Sequence, residues 1–200
     1  MNASTLGLSL ASAEIWLISA ACVLLLVDVF LKDSLRWVTM ALSLVSLAVA
    51  AWITWQQPLD GRVIALNGFY VADPMGNLLK LFSYGAVAVS FIYSYEYLVR
   101  RGLFKGEYYI LGLFALVGIM VMISAGSLLT IYLGVELLSL SLYAMVAFDR
   151  DSGIAAESAM KYFVLGALAS GTLLYGMSMI YGATGTMQLD EIALAVREVG

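Results

Sequence analysis

IYLGVELLSLSLYAMVAF (residues 131–148) is followed by DRDSG (149–153) and then by IAAESAMKYFVLGALASGTLLYGMSMIY (154–181). A bilayer's hydrocarbon core, about 30 Å thick, takes about 20 apolar residues as a helix. Each flank is therefore long enough to span, and the charged connection is short enough to make the two spans antiparallel neighbours. One ionisable residue sits well inside each span, Glu136 in the former and Lys161 in the latter. A charge at mid-membrane costs at least ~2.5–3.5 kcal/mol on insertion scales, so it persists where it faces protein, water or a partner charge. This pair is the expected functional centre.

The rest of the chain has the same character. Of its 200 residues, 62% are hydrophobic and 12% charged, with a mean hydropathy of +0.95. Soluble domains carry roughly 25% charged residues, so the composition excludes one. Apolar runs predict six spanning helices at about Ala13–Leu31, Leu35–Trp55, Met75–Val99, Tyr108–Ala125, Leu128–Phe148 and Ile154–Tyr181. The fold class is all-α, a polytopic transmembrane bundle forming a single transmembrane domain over residues 1–200. The first eleven residues lack a positive n-region, which argues against a cleaved signal peptide. In the one substantial loop, VIALNGFYV predicts a short hairpin turning at Asn67-Gly68. The tail LDEIALAVREVG has the spacing of an amphipathic surface helix.

Charge placement predicts the topology. Apart from the intramembrane Lys80 and Lys161, Lys32, Arg36, Arg100, Arg101, Lys105 and Arg150 fall in alternate loops, and only Arg62 and Arg197 lie on the other side. The positive-inside rule puts the three basic loops in the cytoplasm and both termini of this segment outside. No basic run suggests nucleic acid. The single Cys22 excludes a disulfide framework and reads as a small core residue; with no histidine present, zinc and haem chemistry lose their usual ligands.

On the fifth span, Tyr132, Glu136, Ser139 and Tyr143 share one face and draw a polar stripe along an apolar helix. Glu136 is a candidate proton-holding carboxylate; the structural alternative is a neutral glutamate that joins helices by hydrogen bonds. Glu157 precedes Lys161 by four residues, the favourable order for an ion pair. Lys161 either snorkels to the headgroups or turns inward to influence Glu136. Gly166 with Ser170, and Ala167 with Gly171, read as small-residue packing pairs. Lys80 reads as snorkelling toward the outer surface, with a relay role as the alternative. Asp28, Glu14 and Glu96 read as interfacial, and Trp37, Trp52 and Trp55 as aromatic-belt residues.

LGVELLSLSLYAMVAF, the Arg150-x-Ser152-Gly153 connection and AAESAMKYFVLGALASGTLLYGMSMIYGATGT resemble the subunit N family of proton-pumping NADH:quinone oxidoreductases, bacterial respiratory complex I. That family has plastid, cyanobacterial and mitochondrial relatives. The match is specific over the central fifty residues or so, and the earlier helices agree in number, spacing and outside-first topology. The resemblance implies an antiporter-like membrane-arm subunit, with Glu136 as the input-side carboxylate tuning a lysine on a broken seventh helix. Lys161 matches the family's sixth-helix lysine. The family has about fourteen helices, so a complete member extends beyond Gly200 and the present chain holds only the first part of a half-channel.

The function implied is proton translocation driven by electron transfer from NADH to quinone in other subunits. Glu136 and Lys161 carry it, with Glu157, Tyr132, Ser139 and Tyr143 in weaker supporting roles. The chain itself is expected to hold no cofactor: it has no cysteine set and no dinucleotide fingerprint. FMN, iron–sulfur clusters and quinone belong to partner subunits, and the expected partners are other membrane-arm subunits and the lipid bilayer. Two alternatives remain, a subunit of a multisubunit Na+/H+ antiporter and a structural membrane scaffold.

Overall fold

The computed structural model describes residues 3–31, 36–57 and 61–199. Lys32 and Leu35, read above as part of the first basic loop and as the start of the second span, lie outside the described residues, as do 58–60 of the long loop. The described elements are α1 (Ala3–Leu10), α2 (Ser12–Phe30), α3 (Arg36–Trp55), β1 (Val63–Ala65), β2 (Tyr70–Ala72), α4 (Pro74–Arg100), α5 (Glu107–Ile123), α6 (Leu128–Val146), α7 (Gly153–Thr184) and α8 (Leu189–Val199). Five helices, α2, α3, α4, α6 and α7, are long and apolar enough to cross a membrane; α5, with 17 residues, is shorter. Each expected span has its helix. α1, which the sequence reading does not anticipate, precedes α2 across a bend at Ala11.

Local chemistry sets the ends. Asp73 caps α4 by accepting from the Gly76 N–H, and Pro74 occupies the first helical position, where its missing N–H costs nothing. Ser127 caps α6 through the Thr130 N–H at 3.2 Å, and Ser152 caps α7 through the Ala155 N–H at 3.3 Å. Gly185 closes α7 in the left-handed conformation, φ 72°. On α3, Trp37 and Trp55 are both exposed and stand at opposite ends, about 27 Å apart along the axis, close to a hydrocarbon thickness.

α5 is the centre of the bundle. Tyr109, Ile110, Leu113, Leu116, Val117 and Met120 are all buried, packed among α2, α3, α4 and α6. α5 and α6 cross at a glycine pair. A Cβ on Gly118 would meet the Gly134 carbonyl oxygen at 2.7 Å, and one on Gly134 would meet the Gly118 oxygen at 2.8 Å. Small residues of this kind let two backbones approach where hydrophobic exclusion alone cannot drive packing. α7 lies outermost on α6; Ala159 is its one buried residue, and most of its large apolar side chains face outward.

The same outward-facing character corrects the reading of Cys22. It is exposed on α2, because an apolar side chain on a bundle of this composition needs no protein core around it.

One end of the bundle carries a small extended layer. The hairpin forms as expected, Val63 opposite Ala72 and Ala65 opposite Tyr70. Its turn is wider than Asn67-Gly68, because Leu66 joins them at positive φ (52°, 55° and 88°). Left-handed leucine is uncommon; here the Gln188 side chain, donating to the Asn67 carbonyl at 3.0 Å, helps hold the turn. The Ser124–Ser127 connection lies against it: the Val71 N–H donates to Ser124 O at 2.8 Å and the Gly126 N–H to Phe69 O at 3.1 Å. Leu189 N–H then donates to Gly126 O at 3.1 Å, adding the start of α8. A Cβ on Gly126 would collide with the Gly68 carbonyl oxygen, so only glycine fits. At the opposite end Arg36 donates to the Phe104 carbonyl at 3.3 Å and Arg150 pairs with Glu107 at 2.7 Å, which gathers the described basic loops together.

Candidate functional site

Glu136 stands on α6 about 12 Å from the Leu128 end and about 15 Å from the Val146 end, at 1.5 Å rise per residue. Its carboxylate Oε1 accepts from the Ser170 hydroxyl of α7, and Ser170 Oγ lies 3.2 Å from the Tyr132 hydroxyl. The expected stripe is therefore a contact face between two helices. Ser170 is the residue that sequence reasoning misses: its spacing reads as packing alone, and its hydroxyl in fact binds the glutamate. The i,i+4 spacing of Gly166 and Ser170 is the available signal, since a small residue that brings a helix close also brings its own hydroxyl within reach.

Gly166 does act in packing. A Cβ there would strike the Tyr143 hydroxyl, and the glycine makes room for a ring that stands edge-on to Tyr162 (4.7 Å) and Phe163 (5.7 Å). Tyr143 is thus an aromatic contact between α6 and α7, about two turns from Glu136. Ser139 is half-buried on the same helix and takes no part in the Ser170–Glu136–Tyr132 set.

Lys161 is not joined to that set. Its Nζ lies 2.6 Å from Glu157 Oε1, the i,i+4 pair expected from the spacing, and both side chains are exposed on the outer face of α7. Along the helix Lys161 is about 13 Å from Ser170 and Glu157 about 19 Å. Any influence on Glu136 is exerted over this distance and not by contact.

A second polar cluster lies under the hairpin, and here two readings from the sequence are overturned. Lys80 is 2% exposed and Glu14 8% exposed, with Lys80 Nζ 2.6 Å from Glu14 Oε1. Lys80 therefore does not snorkel and Glu14 is not interfacial. α2 and α4 start at the same end of the bundle, so a residue in the first turn of one meets a residue in the second turn of the other. Lys80 also donates to the Tyr70 hydroxyl at 3.0 Å, and that hydroxyl lies 3.0 Å from both Glu14 Oε1 and the Leu10 carbonyl oxygen. Ser124 Oγ approaches Glu14 Oε1 at 3.5 Å, while Glu14 Oε2 is buried with no partner among the described residues. Burial, then the charge of Glu14, pushes the Tyr70 phenol well above the usual tyrosine range.

Residues 125–199, which contain the Glu136 set, match the family described as "NADH:quinone oxidoreductase/Mrp antiporter, TM". NADH-quinone oxidoreductase subunit N of Thiobacillus denitrificans is 51% identical over 198 residues, covering 99% of this chain, and that of Nitrosomonas europaea is 52% identical over 186 residues, covering 93%. The chain is similar over nearly all its length to these antiporter-like membrane subunits. It spans 41% and 39% of the length of those two relatives. Among solved structures, a chain of respiratory complex I from Thermus thermophilus is 29% identical and superposes with a TM-score of 0.68 over 92% of this chain and 41% of its own. A chain of the archaeal membrane-bound sulfane sulfur reductase, 23% identical, shares the fold with a TM-score of 0.72 over 96% of this chain and 40% of its own. The chain is accordingly a polytopic membrane protein with an antiporter-like helical fold.

Proposed function

We propose that the chain is part of a membrane-arm subunit of proton-translocating NADH:quinone oxidoreductase, seated in a bacterial inner membrane with its N-terminus on the outer side. The supporting observation is Glu136, a carboxylate near mid-helix whose hydrogen-bond partner is a hydroxyl on the neighbouring helix. Among the described residues no cation stands at contact distance from it, so its charge is governed by proton uptake and by charges that change further away. Ser170 holds the carboxylate and, with Tyr132 beside it, offers hydroxyls for passing a proton toward the end where α6 begins. Lys161, with Glu157, is the adjustable charge on the opposite half of α7.

NADH, quinone, FMN and iron–sulfur clusters act in partner subunits under this proposal, which also takes this chain as a segment of a longer subunit of the family. The name of the matched family also covers Mrp antiporters, and exchange of sodium for protons is the second reading.

The experiment is Glu136→Gln in the complete subunit, assembled with its partners and reconstituted in liposomes. Glutamine keeps the shape and the acceptor for Ser170 but holds no exchangeable acid proton. The expected result is normal assembly with loss of NADH-driven acidification. Full coupled transport in the variant would make the scaffold reading the better one, and sodium-dependent proton exchange without NADH activity in the parent would favour the antiporter.

A further inference from the structure

We propose that Glu14, Tyr70 and Lys80 form a second proton-holding site, placed under the hairpin and separate from the Glu136 set. The inference rests on the proposed role in proton translocation and adds a place where a proton is held near the end of the bundle at which α2, α4 and α6 begin.

The first argument is energetic. Lys80 and Glu14 side chains are 3% and 10% exposed. A buried ion pair gives up so much hydration that apolar residues of similar volume hold helices together equally well or better. As a clamp between α2 and α4 the pair has no advantage over leucine and methionine. The second argument is the uneven partnering. A structural network is stable when every member is satisfied, yet Glu14 Oε1 is approached by Lys80, Tyr70 and Ser124 while Oε2 is buried without a partner among the described residues.

The third argument is the position of the Tyr70 hydroxyl. It accepts from Lys80 Nζ at 3.0 Å, and its single proton has two acceptors at 3.0 Å, the Glu14 carboxylate and the Leu10 carbonyl oxygen. It therefore has two settings, toward the carboxylate or away from it. With the hydroxyl proton directed at Glu14, a proton leaving Lys80 reaches the carboxylate through the tyrosine: an N–H bond of the ammonium breaks, the tyrosine O–H is exchanged, and an O–H forms on Glu14. The pair goes from ammonium and carboxylate to amine and carboxylic acid with no change in total charge. The direct 2.6 Å Nζ–Oε1 contact moves a proton only within the pair, and exchange between the pair and the surface layer goes through the Tyr70 hydroxyl in the hairpin.

Among the described residues, the groups that face this site are few. α2 supplies Glu14, β2 supplies Tyr70, α4 supplies Lys80 and, one turn on, Tyr84, and the end of α5 supplies Ser124. Tyr84 is itself buried and shares a 3.0 Å hydrogen bond with Thr54 in the last turn of α3. Tyr70 lies in the hairpin, outside the spanning helices, so the site reaches the surface layer at one side and the bundle at the other.

The test uses the complete subunit in its assembled complex, with quinone reduction and proton movement measured on the same liposomes. The variant Glu14→Gln with Lys80→Met removes both charges together and leaves no unpaired buried ion. The expected result is assembly and quinone reduction as in the parent with loss of protons moved per quinone reduced. Full proton movement in the assembled double variant overturns the proposal, since the pair is then only a clamp. Tyr70→Phe guards against misfolding because it keeps the ion pair and removes the hydroxyl. If the double variant does not assemble, an assembled Tyr70→Phe complex that loses coupled protons supports the site, and one that pumps fully overturns it. Failure of the proposed function shows separately, as absence of NADH-driven pumping in the parent.

Discussion

Replacing Lys161 by methionine removes one unit of charge about 13 Å along α7 from the residue that binds Glu136. It leaves the Glu157 carboxylate, whose oxygen lies 2.6 Å from the lysine Nζ and so at most about 16 Å away. At an effective dielectric constant near 20, a unit charge at these distances contributes about 1.3 and about 1.0 kcal/mol to the energy of a charge at Glu136. In the intact pair the two contributions oppose each other, and the net effect is only about 0.3 kcal/mol. Lys161→Met therefore leaves the Glu157 charge unopposed, a change of about 1.3 kcal/mol in the energy of a charge at Glu136. Lys161→Met combined with Glu157→Gln removes the whole pair and changes that energy by only about 0.3 kcal/mol. The assay is NADH-driven acidification of liposomes carrying the assembled complex at fixed pH, with quinone reduction as the control for assembly. Pumping should fall strongly in the single variant and recover most of the way in the double. A double variant as impaired as the single one would refute the reasoning, because Lys161 would then act by a contact of its own and not as one end of a nearly neutral pair. An unimpaired single variant would refute it too, by showing that α7's outer charges do not reach Glu136.

Three further outcomes follow from geometry already described. Ser170→Ala should lower coupled proton transport while leaving assembly intact, since a hydrogen bond to a charged group contributes about 1.5–3 kcal/mol and its loss frees the Glu136 side chain; parent-like pumping would show that the hydroxyl does not position the carboxylate. Gly126→Ala drives a Cβ into the Gly68 carbonyl oxygen, where no side chain can give way, and should lower thermal stability by about 1–3 kcal/mol, measured on the purified protein. The Tyr70 phenol has its folded-state value raised above the ordinary 10.0 by burial and by the charge of Glu14, so it stays protonated through pH 10. By linkage the unfolded chain then binds fewer protons than the folded one above that value, and stability should fall as pH rises through the alkaline range. Spectrophotometric titration of Tyr70→Phe should gain as much phenolate absorbance around pH 10 as the parent, and one tyrosine less in that range would contradict the burial.

The contrast between the two charged clusters shows which features a sequence displays and which it withholds. The spanning helices are legible because each is a local run of apolar residues, and α4, α6 and α7 begin at capping residues, Asp73, Ser127 and Ser152. Glu136 is legible because a single carboxylate interrupts such a run at its middle, and the Glu157–Lys161 pair because four residues on a helix fix a neighbour. Glu14 and Lys80 give no such signal. Each stands in the opening turns of its helix, where a charge ordinarily reaches water, and only the antiparallel order of α2, α3 and α4 sets one beside the other. Their burial also depends on the hairpin folding back over them with Tyr70, and on Gly126 allowing the α5–α6 connection to lie against that hairpin. Ser170 escapes notice for a related reason: a hydroxyl one turn from a glycine reads as packing until the helix it approaches is known to carry a glutamate. A charge near a helix start is therefore best read together with the other helices that start at the same end. By that rule Glu14, Lys80 and Tyr70 become candidates for one site, since α2, α4 and the hairpin all meet there.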